Sequence, residues 1–142
     1  MFNKIKIKTI PKKIDKKTIE IFDPIFRQRI FILLNQDEND YVKFLNKHKV
    51  KDVQQDKFYF NRVQGFSTYF ETDDLPRQYI ILLKEFDWSI FHQGTLIHEI
   101  THTVIRIFEE KNIPFNNDTQ EFIANEISRI YEMVAHKLLE YV

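Results

Sequence analysis

His98, Glu99 and His102 stand in the pattern HExxH within the segment LIHEITHTVIRIF, residues 96–108. On an α-helix, residues four apart are separated by about 40° around the axis, so both imidazoles can reach one ion at roughly 2.0 to 2.1 Å from each nitrogen. Glu99, about 100° further round than His98, falls beside such an ion and not on it. There a carboxylate can take a proton from a zinc-bound water and hand it to a leaving group. Two metal ligands and a general base are thus contained in five residues. The competing reading, a pair of core histidines hydrogen-bonded to neighbours with Glu99 in a salt bridge, is disfavoured by the specificity of the motif.

The motif works only on a helix. Leu96, Ile97, Ile100, Val104, Ile105, Ile107 and Phe108 place apolar residues nearly all round the segment, which predicts a buried helix. Its expected span is about Trp88 to Lys111, capped by Asp87 or Ser89. After the NIPFNN loop at 112–117, a second long helix is expected from Asp118 to about Tyr141, with no Pro or Gly inside it.

The earlier chain reads mainly as strands. Phe2–Ile10 alternates Lys and Ile, Arg27–Leu34 ends in a wholly apolar run, and Phe66–Glu71 alternates like a half-exposed strand. Tyr79–Leu83 is a continuous apolar run suited to a central strand, and Thr72–Pro76 joins the last two as a turn. One helix interrupts them, from Glu38 to about Lys49, with Asp37 as its cap and His48 as an exposed C-terminal residue favourable to the helix dipole. Lys51–Arg62 has no clear period and reads as irregular connection, and Phe22-Asp23-Pro24 reads as a turn.

Composition limits the chemistry. A chain of 142 residues, 43% hydrophobic and 15% aromatic, suffices for one core, so residues 1–142 are expected to form a single domain. Without cysteine, a metal must be held by His and carboxylate. The formal net charge of zero gives no ground for a nucleic-acid partner. No run approaches the roughly 18 apolar residues of a membrane span, so a cytoplasmic monomer free of membrane contact is expected. The lysines at 4, 6, 8, 12, 13, 16 and 17 read as a solvated face.

A third metal ligand must come from elsewhere. A metzincin would carry Gly and His where this chain has Ile105 and Phe108, which excludes that branch. The second helix offers Glu121, Glu126 and Glu132. Around its axis Glu121 shares a small, polar face with Ala124, Asn125, Ser128 and Glu132, opposite the stripe Ile123, Ile127, Ile130, Val134, Leu138. That small face could lie against the HExxH helix while the Ile stripe packs elsewhere; Glu126 falls on the margin of the stripe. Asp118-Thr119-Gln120-Glu121 also has the form of a helix cap, and spacing alone leaves the two roles of Glu121 open.

LIHEITH followed at this distance by DTQEFIAN resembles the gluzincin branch of zincin metallopeptidases, in which a second helix supplies a ligand glutamate. In detail it is most similar to small zincin-like proteins encoded by bacteriophages. The resemblance runs from about Phe66 to Val134 and includes a strand like YIILLKEF before the motif. It implies zinc held by His98, His102 and Glu121, with Glu99 as the base. It places Asn125 where larger gluzincins carry an acid that orients a ligand His, leaving a role through its carbonyl oxygen. The implied fold is α+β: a minimal zincin, with a small mixed sheet packed on the HExxH helix and a second long helix behind.

The implied activity is zinc-dependent hydrolysis of peptide bonds in a peptide or protein substrate, in a host cytoplasm if the chain is phage-encoded. Substrate would then add as a strand along the sheet edge, for which Phe66–Glu71 is the candidate. Tyr69, Tyr131, His92 and His136 are candidates for an oxyanion donor by residue type only. The alternative function is a zincin-fold protein that keeps zinc in a non-catalytic binding or assembly role. A metal-free helical interaction domain with buried histidines is a third.

Overall fold

The computed structural model describes residues 14–50, 63–72 and 75–139. Within them lie strands β1 (Lys17–Asp23), β2 (Gln28–Leu34), β3 (Gly65–Thr72) and β4 (Leu75–Leu83), and helices α1 (Glu38–Lys47), α2 (Ile90–Glu110) and α3 (Gln120–Leu139). The class is α+β. The expectations for Phe2–Ile10 and Lys51–Arg62 fall outside the described residues.

The sheet runs β1-β2-β4-β3. The two strands with unbroken apolar runs are central and parallel, Ile30 pairing with Tyr79 and Leu34 with Leu83. Strands covered on both faces need no alternation, which is why RIFILL and YIILL read as continuous hydrophobic runs. Among the described residues the antiparallel partners β1 and β3 form the edges, as expected of Phe66–Glu71. Strand β1 was hidden in sequence behind its lysines and the following turn, although Ile19, Ile21 and Asp23 alternate as its buried residues.

Each face of the sheet has its own core. On one, Phe31, Leu33, Phe66, Phe70, Ile80 and Leu82 meet Tyr41, Phe44 and Leu45 of α1. On the other, Ile30, Ile32, Ile81 and Leu83 meet Leu96, Ile100, Val104 and Ile107 of α2 and Ile130, Val134 and Leu138 of α3. Among the described residues three layers result, with α1 on one side of the sheet and α2 and α3 on the other. Each fully buried Leu, Ile or Phe contributes about 1.5 to 3 kcal/mol relative to leaving it in water.

Helix α1 starts at a capping box. The Asp37 side chain accepts from Asp40 N–H at 2.9 Å, and Asp40 accepts from Asp37 N–H at 3.0 Å, while Lys16 holds Asp40 from outside at 2.9 Å. Asp37→Ala is expected to cost about 1 kcal/mol, seen as a lower urea midpoint with unchanged slope. His48, the C-cap, is not the solvent-exposed residue expected: its ring lies 4.2 Å from that of Phe44 and 4.9 Å from that of Phe31, and it is half-buried.

Candidate metal centre

Helix α2 is capped by Ser89, whose hydroxyl accepts from His92 N–H at 3.4 Å, and it runs 21 residues without a break. It is not buried all round, as the density of apolar residues suggested. Leu96, Glu99, Ile100, Thr103, Val104, Ile107 and Phe108 face the interior, whereas Ile90, Phe91 and Ile97 are exposed along with both histidines. A single α-helix laid on a sheet can bury only one stripe, and the sheet face and α3 together take only that one.

On the outer stripe the histidines converge. Nε2 of His98 and Nε2 of His102 stand 3.1 Å apart, their rings 4.7 Å apart and inclined at 80°. A tetrahedral zinc ion bound at about 2.0 to 2.1 Å needs its two nitrogens about 3.3 Å apart. The pair therefore fits a metal's bite, although an N–H···N bond between two neutral imidazoles spans the same distance. Glu99 lies at the inner border of the stripe: its side chain is only 9% exposed against 67% for His98, and its Oε1 is 4.0 Å from His98 Nε2. Thr103, one turn on, donates its hydroxyl to the Glu99 backbone carbonyl at 3.0 Å.

The second helix does not present the face that the ligand assignment requires. Its Ile stripe, with Phe122 alongside, packs into the core shared with α2; Glu121, Ala124, Asn125, Ser128 and Glu132 are exposed. The larger apolar area was buried, which leaves the small polar face to water. Glu121 and Asn125 thus stand on the solvent side of α3, away from the contact with α2. Glu126 is fully buried and engaged with Arg129 of its own helix. Among the described residues, no three His, Cys, Asp or Glu side chains form a group that could hold a metal ion. Two of the expected ligands and the base come together; the third ligand does not join them.

No family model, curated protein or solved structure matches this chain.

Of the residues considered as oxyanion donors, His92 is held by Asp87 at 2.7 Å, Tyr131 donates to Gln93 Oε1 at 3.2 Å, and the Tyr69 ring lies under the Arg77 guanidinium at 3.8 Å. Sequence reasoning missed Arg106, one turn beyond His102. Its Nη1 donates to Ser67 Oγ at 2.7 Å and to the Ser67 carbonyl, fastening α2 to edge strand β3. The signal was present in the four-residue spacing 98, 102, 106, which places a cation next in line along the helix.

Proposed function

We propose that the chain is a zinc-dependent peptide hydrolase centred on His98, Glu99 and His102. The observation that carries this reading is the convergence of the two Nε2 atoms to 3.1 Å on an open face of α2, with the Glu99 carboxylate beside them. His98 and His102 would hold the ion, which supplies Lewis acidity towards a carbonyl and makes water a better acid.

Glu99 has the position of the base. Its carboxylate is kept from bulk water yet borders the histidine face, so it can remove a proton from water there and return it to the departing amine. Arg106 and Ser67 hold α2 close to the edge of the sheet, where among the described residues the outer side of β3 has no neighbouring strand. A peptide added along that edge would run past the histidine face, the mode of recognition in which backbone pairing supplies affinity.

The test is the metal content of protein purified without added metal, for wild type, His98→Ala and Glu121→Ala. About one zinc per wild-type chain is expected, with almost none in His98→Ala. Loss in Glu121→Ala as well would make Glu121 the third ligand, brought in from the exposed face of α3. Retention would leave a two-histidine centre completed by another group, and a wild type unable to bind zinc even when it is supplied would overturn the reading. Zinc bound without cleavage of any peptide would favour a non-catalytic role.

A further inference from the structure

Two carboxyls that the metal chemistry does not use are fully buried: Asp23 at the end of β1 and Glu126 in the second turn of α3, each 0% exposed. Asp23 Oδ1 accepts from Ile25 N–H at 3.1 Å, closing the turn of the β1–β2 hairpin, where Arg27 takes a left-handed φ of 55°. Glu126 Oε1 accepts from the Arg129 guanidinium. Among the described residues the other oxygen of each, Asp23 Oδ2 and Glu126 Oε2, is buried with no hydrogen-bond donor, and β1 packs against α3 so that the Asp23 carboxyl adjoins that of Glu126.

The neighbouring cations do not complete the balance. Arg129 pairs with Glu126, and among the described residues it is the one guanidinium paired with either carboxyl. With the Gln28 amide turned to satisfy both its ends, its oxygen accepts from Lys111, in the turn after α2, at 3.1 Å; Gln28 is the residue opposite Asp23 across the hairpin. Arg77 of β4 offers its backbone carbonyl to the Gln28 amide, and its guanidinium goes to Glu71 at 3.2 Å. Two ionised carboxylates against one guanidinium would leave a buried charge uncompensated and two acceptors facing each other, a strongly unfavourable arrangement. One proton between them satisfies both orphan oxygens and removes the excess charge.

We infer that Asp23 and Glu126 share a single proton and so form an acid latch, joining α3 to the β1–β2 hairpin and loosening as the surroundings turn alkaline. Burial first, and contact with Asp23 next, push the Glu126 carboxyl up from its usual 4.5 to about 7, against the pull of Arg129. Because the folded chain holds this proton more tightly than the unfolded one, the latch contributes fully below about pH 4.5, and its contribution is lost as pH rises to about 7. The joint lies beside the aromatic cluster of Phe26, Phe108 and Phe122, where hairpin, α2 and α3 meet.

The experiment is the melting temperature between about pH 5 and pH 8, in the presence of a chelator so that metal binding does not contribute. Wild type is compared with Glu126→Gln, whose amide can donate to Asp23 at every pH. Relative to that variant, the wild-type Tm is expected to fall by about 5 °C or more across the range, and the subtraction removes the histidines common to both. Parallel curves for the two proteins would overturn the latch. Infrared spectroscopy gives a second reading that needs no stable variant. At pH just below neutral the wild type should show the carbonyl stretch of a buried, un-ionised carboxyl, and a spectrum without that band would equally sink the proposal.

Discussion

Glu99→Gln is expected to keep its zinc and to lose peptide cleavage by roughly 10² to 10⁴-fold, the range that a positioned general base supplies. Gln has the size and shape of Glu, so the inner border of the histidine stripe should pack as before, and the hydrogen bond from Thr103 to the residue 99 carbonyl is a backbone contact that the change does not touch. His98 and His102 keep their 3.1 Å convergence, because one helical turn sets it. What is removed is the group that accepts a proton. The measurement is cleavage of a denatured protein substrate by wild type and variant at equal zinc content. Undiminished cleavage by the variant would assign the base elsewhere and overturn the role of Glu99; a biological activity that survives in the variant without cleavage would point to zinc as a structural element.

The parts of this molecule legible in sequence are those fixed locally. HExxH fixes two imidazoles and a carboxylate within little more than one turn of helix, and the structure delivers that triplet on the expected element. RIFILL and YIILL were legible because burial on both faces leaves no polar interruption. Asp37 was legible as a cap because capping is settled within four residues. The third ligand, by contrast, depends on how α3 is rotated about its own axis. Periodicity divided that helix correctly into an Ile stripe and a small polar face, but not which of the two would meet α2. The competition was decided by area: burying Ile130, Val134 and Leu138 against α2 and the sheet outweighs bringing Glu121 and Asn125 inward. Glu126, on the margin of the stripe, was drawn under with it, which created the buried acid that Asp23 answers. That pairing joins residues about a hundred positions apart in the chain, and no local pattern announces it.

Phe108→Ala is expected to destabilise the fold by about 3 to 5 kcal/mol, the cost of removing a large buried aromatic ring whose cavity cannot close. Phe108 is 0% exposed, and its ring centroid lies 5.4 Å from Phe26, 5.5 Å from Phe122 and 5.8 Å from Phe115. One side chain therefore fastens the hairpin turn and the first turn of α3 to the end of the helix that carries the histidines. Phe115→Ala is the internal comparison: that residue is 47% exposed, and its loss should cost about 1 kcal/mol or less. Urea titration of the three proteins measures both effects, and equal midpoints for wild type and Phe108→Ala would contradict the packing described. The same variant also separates two kinds of metal centre. Where zinc is held by His98 and His102 without a ligand from α3, affinity should persist in whatever fraction remains folded, because that pair belongs to one helix. Where Glu121 completes the site, loosening the first turn of α3 should weaken zinc binding more than the loss of folded protein accounts for.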